Sequence, residues 1–151
     1  MRKIFALIAL TALFTAGCSS SPKTATEQTE SPTPPAATTG PAPVTLTGSV
    51  NNHGIKDVTD QAATVSIEIE QDDNYFEPTF IKAAPGASVS VELMNEGGTS
   101  HTFTIDSLHV DKTLAPDSKQ TVTFNLPSSG VVNFYCKFHK SSGMQGAFYF
   151  S

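Results

Sequence analysis

Alternating apolar and polar residues dominate the chain from about residue 44 onward. The alternation is clearest in VSIEIE (65–70), VSVEL (89–93), TVTFNL (121–126) and AFYF (147–150). Since successive side chains of a strand point to opposite faces, this period of two predicts strands that bury one face each. Typical turn sequences such as APGA, NEGG and PSSG separate these runs, and no stretch has a helical apolar period. We therefore predict an all-β fold, a two-sheet antiparallel sandwich.

The same alternation places polar side chains on inward faces. In HTFTI, His101 shares a face with a phenylalanine, and in VVNFYC, Cys136 does the same. His101 begins its strand and Cys136 ends its own, so antiparallel pairing would bring both to one end of the sandwich. The following loop carries His139 and Met144 over that end, before a last strand that starts near Gln145.

These four side chains narrow the choice of metal. A thiolate, two imidazoles and a thioether are the ligands of copper in trigonal His₂Cys geometry with a long axial methionine. The thioether is a poor partner for zinc, calcium or magnesium. Taken singly, each residue has a structural alternative: a buried apolar cysteine, a core methionine or a surface histidine. Together they predict one copper ion, whereas His53 and His109 stand in polar, turn-like stretches and are expected at the solvated surface.

Two motifs resemble those of the cupredoxins, the plastocyanin and azurin group of blue copper proteins. One is Cys-x₂-His-x₄-Met at 136–144, with an upstream histidine in NEGGTSHTF. The other is YFEPTFIKAAPGASVSVELMN, which is similar to the strand-turn-strand lead-in of the family. The resemblance covers about residues 64–151 and implies a Greek-key sandwich with one type 1 copper. It implies His101, Cys136, His139 and Met144 as ligands, and the Thr102 amide as a candidate donor to the Cys136 sulfur.

The first residues have the pattern of an export signal. MRK supplies positive charge, residues 4–14 are apolar, and TAGC is a small-residue cleavage site. The apolar stretch is short for a membrane span. It resembles a bacterial lipoprotein signal, which implies removal of residues 1–17 and lipidation of Cys18; the alternative is a plain secretory signal. If Cys18 carries lipid, Cys136 is an unpaired thiol in an oxidising compartment, which copper ligation would explain.

A linker separates this signal from the folded domain. Residues 19–43 contain six of the ten prolines and no large apolar residue, so they cannot bury enough surface to offset the entropy of ordering. We predict a lipidated N-terminus and disordered linker over 18–43, and the cupredoxin domain over 44–151. The stretch VTLTGSVNNHGIKDVTDQAA, which precedes the resemblance, is predicted to add a strand and a loop.

Net charge excludes one class of partner. The formal charge is −5, and loss of Arg2 and Lys3 with the signal leaves seven bases against fourteen acids, or −7. Such a chain disfavours nucleic acid. Lys137 and Lys140 beside the ligands could orient an acidic partner, but a solvated loop edge is the simpler interpretation.

The resemblance implies a function. In the family, copper shuttles single electrons, and the second loop histidine, here His139, presents its ring edge to a redox partner. We expect a monomer that is not an enzyme by itself and is lipid-anchored outside a bacterial membrane, in the periplasm or at the cell surface. Four histidines in all are too few for a multicopper oxidase cluster. The alternatives are envelope copper storage or delivery, and a non-metal adhesion module.

Overall fold

Strands make up most of the regular structure in the computed structural model, which describes residues 40–61 and 64–150. Within these ranges are two short 3₁₀ helices, Asp106–Leu108 and Lys140–Ser142, and ten strands. The strands are β1 (Ile55–Asp57), β2 (Thr64–Asp72), β3 (Tyr75–Glu77), β4 (Phe80–Lys82), β5 (Ser88–Asn95), β6 (His101–Ile105), β7 (Val110–Leu114), β8 (Lys119–Asn125), β9 (Val131–Tyr135) and β10 (Gln145–Tyr149). Neither helix of this described part is long and apolar enough to cross a bilayer.

The strands form two sheets. The six-stranded sheet has the order β1-β4-β10-β9-β6-β7, and the four-stranded sheet has the order β3-β2-β5-β8. The pairs β1–β4, β4–β10 and β2–β5 are parallel, and the other neighbours are antiparallel. The predicted all-β sandwich is confirmed, with mixed sheets in place of purely antiparallel ones.

Inward-facing residues of both sheets join in one core. On β2 the buried positions alternate through Ile67 and Ile69, and on β5 through Val91 and Leu93. They belong to the same buried cluster as five phenylalanines, which are Phe76, Phe103, Phe124, Phe134 and Phe148. On β2 and β5 the predicted period of two is therefore the period of burial, whereas β6 and most of β10 are buried on both faces. Burial of these apolar faces is the main contribution to the packing of the two sheets.

The segment before β2 belongs to the sandwich. It contains the additional strand expected there, β1, which pairs with β4. Ahead of β1, Leu46 is buried against Phe80 and Ala147. The Gln145 side-chain amide donates to the carbonyl oxygens of Thr47 and Ser49, at 2.9 and 2.7 Å. The segment that contains Leu46, Thr47 and Ser49 therefore lies beside the start of β10, directly after the predicted ligand loop.

Candidate metal centre

The four predicted ligands lie at one end of the sandwich. His101 is the first residue of β6, and Cys136 directly follows β9. These strands are antiparallel neighbours, with Thr104 opposite Tyr135, so the start of one lies beside the end of the other. His139 and Met144 lie in the connection from β9 to β10. The antiparallel pairing expected from the sequence is present.

Three donor atoms converge there. The Nδ1 atoms of His101 and His139 are 3.1 Å apart, and the Cys136 Sγ lies 3.9 Å from the first and 3.6 Å from the second. Donors bound at about 2.0–2.3 Å to one ion lie about 3.5–3.7 Å apart in a trigonal plane. The observed separations of 3.1, 3.6 and 3.9 Å lie within about 0.4 Å of those values. Within the described residues, these three form the group able to hold a metal ion.

Two of the three donor side chains are buried, and burial of His101 favours the protonation state that binds a metal. Cys136 and His101 have no exposed surface, whereas His139 is partly exposed. Burial, and secondarily the neighbouring His139, lowers the pKa of His101 below its usual value, which favours the neutral imidazole that a metal requires. The Cys136 thiol is free and buried. The Thr102 backbone N–H donates to its sulfur at 3.3 Å, which is the donor that the resemblance implied.

A threonine side chain joins the two ligand-bearing segments. The Thr102 hydroxyl accepts a hydrogen bond from the Lys137 N–H at 2.8 Å. Thr102 directly follows His101, and Lys137 directly follows Cys136. This bond between the two neighbouring residues therefore helps to fix the distance between the ligands His101 and Cys136. Nothing in the sequence singled out this hydroxyl, because its partner is a backbone group 35 positions away.

Backbone hydrogen bonds shape the ligand loop, residues 136–144. The Cys136 N–H donates to the Met144 carbonyl at 3.0 Å, and the Met144 N–H donates to the His139 carbonyl at 3.1 Å. Met144 is fully buried. Gly143 has φ 97°, a left-handed conformation that disfavours any residue with a Cβ. The loop thus turns back on itself, so that the backbone of Met144 is hydrogen-bonded to both His139 and Cys136.

Gly97 leaves room for the outer edge of the His101 ring. A Cβ at this position would lie 2.7 Å from His101 Nε2 and 3.1 Å from Asp73 Oδ1. His101 Nε2 is buried and has no hydrogen-bond partner among the described residues. Sequence reasoning missed this glycine, since NEGG signals a turn without showing which residue that turn approaches.

The remaining histidines and the loop lysines lie outside this cluster. The His53 side chain is 41% exposed and stacks on Tyr75 with ring centroids 3.5 Å apart. His109 is exposed in a left-handed conformation. Both match the surface expectation. Lys137 forms an ion pair with Asp111, and Lys140 lies over the Tyr135 ring, 4.1 Å from its centroid, so both are engaged at the loop edge.

The predicted N-terminal features cannot be placed by the structure. Residues 1–17 and Cys18 lie outside the described residues, as does the linker up to residue 39. The signal and lipidation hypotheses therefore stay predictions.

Comparison with known proteins gives one family match. The sequence model of the cupredoxin-like domain matches residues 41–148, and no curated protein sequence matches the chain. A dithionite-reduced auracyanin from Roseiflexus castenholzii is structurally similar, with a TM-score of 0.51 and 19% identity over 58% of this chain and 97% of that one.

Two other similar structures come from different kinds of protein. The metal-binding domain of the Streptococcus pneumoniae Cu(I)-exporting ATPase CopA has a TM-score of 0.54 and 12% identity, over 67% of this chain and 99% of that one. A Nitrosomonas europaea copper nitrite reductase has a TM-score of 0.50 and 18% identity, over 58% of this chain and 41% of that one. At these identities the likeness concerns the fold alone.

Proposed function

Because the chain belongs to the cupredoxin-like domain family, we propose that it is a blue copper protein carrying single electrons between redox proteins at the cell envelope. The observation that carries this proposal is the triangle of donor atoms from His101, Cys136 and His139. With Met144 in the same loop, this donor set fits a single type 1 copper ion.

Each ligand has a distinct task. His101, Cys136 and His139 would hold the copper ion, and the thioether of Met144 would be a weaker fourth donor. A bound copper ion supplies a one-electron couple. The Thr102 N–H donates to the sulfur and helps to disperse thiolate charge, which tunes a metal site of this kind. The hydrogen bonds of the ligand loop would restrain how far the donors move when the copper changes oxidation state.

His139 supports an exchange of electrons with another protein. It is the partly exposed member of the triangle, and Phe138 beside it is 56% exposed. A partner that contacts this edge would lie one imidazole ring away from the ion. All four proposed ligands come from this chain, which leaves no coordination position for a substrate, so we propose a carrier and not an enzyme by itself.

Absorption spectroscopy tests this function. Purified protein supplied with copper(II) should bind one equivalent and turn intensely blue, through charge transfer from the Cys136 thiolate to copper. In Cys136→Ser the blue band should disappear even if some copper still binds through imidazole and oxygen. Full copper occupancy of the wild-type protein without colour would refute the type 1 assignment.

Copper storage or delivery is the second candidate function. The structural likeness to a domain of a copper exporter favours considering it. A carrier should retain its ion through many redox cycles, whereas a delivery protein should pass copper(I) to a chelator or acceptor within seconds to minutes. Slow release together with reversible voltammetry supports electron transfer, and fast release supports delivery. Absence of stoichiometric copper binding would instead favour a non-metal interaction module.

The proposed location rests on the N-terminal sequence. The apolar stretch and TAGC support export, and Cys18 supports a lipid anchor on the outside of a bacterial membrane. Such an anchor would confine this monomer to the layer in which envelope redox proteins are found.

A further inference from the structure

Asn51, ahead of β1, contacts two loops that both lie near the candidate metal centre. One is the β2–β3 turn, residues 72–74, in which Asp73 lies beside the Gly97 position that faces His101. The other is the ligand loop, which carries His139 and Met144. No motif drew attention to Asn51 in the sequence, because both contacts are distant along the chain.

Its side-chain amide donates one hydrogen bond to each loop. Asn51 Nδ2 lies 2.8 Å from the Asn74 carbonyl oxygen and 2.9 Å from the Ser142 carbonyl oxygen. An NH₂ group has two protons, and both are used here. Since both partners are acceptors, only the nitrogen of the amide can face them, which fixes the orientation of the side chain.

The backbone of Asn51 is held as well. Its N–H donates to the Gly143 carbonyl at 3.0 Å. Its carbonyl oxygen lies 3.1 Å from the hydroxyl of Thr79, a fully buried residue whose single hydroxyl proton also has the Phe76 carbonyl as an acceptor at 2.8 Å. The amide plane also lies against Gly143, where a Cβ would come within 2.8 Å of Asn51 Oδ1. Asn51 therefore lies beside the buried Thr79 on one side and is hydrogen-bonded to the ligand loop on the other.

Residues 140–143 of the ligand loop depend on this contact, whereas its first residues are held by the bond from Lys137 N–H to Thr102. The other backbone hydrogen bonds of residues 140–143 join them to one another or to flanking residues of the same segment, such as His139 and Gln145. Bonds of that kind define a local shape but do not position residues 140–143 against the sandwich. The two hydrogen bonds from Asn51 to Ser142 and Gly143 supply that attachment.

We propose that Asn51 is a positioning residue for the metal centre, tying the His101 side to the loop that carries His139 and Met144. The proposal deepens the copper function above and rests on it. The segment before β2, for which the family motifs assign no role, thereby acquires one. Without Asn51 the loop would move relative to His101, so copper would leave faster and the ligands would rearrange more between oxidation states.

The test compares the same chemical change at two adjacent asparagines. Asn51→Asp keeps the size of the side chain, removes both donors and places negative charge beside two carbonyl oxygens. Asn52→Asp is the matched control, because Asn52 Nδ2 donates to the Gly40 carbonyl and its Oδ1 accepts from Gly54 N–H, away from the ligand loop. Asn51→Ala is the second variant and adds no charge.

Two measurements are made on each protein. The first is the rate at which a copper(I) chelator removes the metal, expected to rise at least about tenfold in both Asn51 variants and to stay near wild type in Asn52→Asp. The second is hydrogen exchange of the Ser142 and Met144 amides in the copper-free protein. Both donate to the His139 carbonyl, and their exchange should accelerate by a similar factor when the loop is released.

The outcomes separate this proposal from the copper function. If the Asn51 variants match Asn52→Asp in both measurements, the positioning role is wrong even though the wild-type protein is blue. If the wild-type protein binds no copper, the function fails, and amide exchange still decides whether Asn51 holds the loop. Should Asn51→Asp not fold, the Asn51→Ala values decide, since that change introduces no charge.

Discussion

At the residue scale, Gly97 matters through the side chain that it lacks. The His101 Nε2 atom occupies the space beside the Cα of Gly97, 2.7 Å from where a Cβ of residue 97 would be. Non-bonded carbon and nitrogen atoms do not approach that closely in a packed interior. The ring orientation that aims His101 Nδ1 at Cys136 and His139 therefore requires glycine at this position.

Substitution of Gly97 should disturb the metal centre selectively. In Gly97→Ala the new methyl group must displace the His101 ring, so we expect copper affinity to fall by about 10–100-fold and the blue band to shift or weaken. Titration with copper and visible spectroscopy measure both effects. Gly98→Ala is the matched control, because a Cβ at Gly98 meets no atom within 4 Å. Equal copper affinity in the two variants would show that the ring has room to move.

At the element scale, β9 connects the core to the metal centre. Phe134 contacts the rings of Phe76 and Phe103, each with centroids 5.1 Å away, and that of Phe148 at 5.6 Å. Because Cys136 continues the inward alternation of β9, the packing of Phe134 determines where the sulfur emerges from the sheet. Packing of the aromatic core therefore helps to hold the Cys136 end of β9 in place.

Truncation of Phe134 should cost far more than truncation at the exposed face of the same strand. Phe134→Ala removes a fully buried ring and should lower the free energy of unfolding by about 3–5 kcal/mol. Val131→Ala changes a residue that is 47% exposed and should alter it by no more than about 0.5 kcal/mol. Denaturant unfolding of the copper-free proteins gives both values. Similar losses in the two variants would contradict the core position of Phe134.

Some elements were predictable from the sequence and others were not. β2 and β5 have strong alternation because one of their faces lies in the core, so their pattern predicts them directly. β7 is an edge strand with exposed Asp111 and Lys112, and its pattern does not differ from that of a loop. The parallel pairing of β2 with β5 depends on how the chain crosses between sheets, which no local pattern encodes.

The candidate site likewise has parts that the sequence predicts and parts that it does not. Cys136, His139 and Met144 share one short motif, and alternation plus antiparallel pairing brought His101 to them. The supporting contacts from Asn51 and Gly97 join residues far apart in sequence. Spacing and residue type thus predict which donors meet, whereas the groups that position them depend on the folded backbone.

At the scale of the whole molecule, the N-terminal sequence carries the hypothesis about where the domain works. The described residues begin at 40, and residue 40 already contacts the domain, since its carbonyl accepts from the Asn52 side chain at 2.8 Å. A flexible chain of the length between Cys18 and this point would span about 23–28 Å. Lipidation of Cys18 would therefore hold the metal centre within a thin layer near the membrane surface.

Replacement of the lipidation cysteine should release the protein from the membrane or block its maturation. If Cys18 carries the lipid, wild-type protein should sediment with membranes, and Cys18→Ser should be soluble or accumulate with residues 1–17 uncleaved, because serine accepts no thioether-linked lipid. Fractionation followed by mass measurement of the N-terminus distinguishes these forms. Cys136→Ser, which alters the other cysteine, is the matched control and should remain in the membrane fraction. Wild-type protein found wholly in the soluble fraction would contradict the anchor, and the domain would then diffuse freely after export.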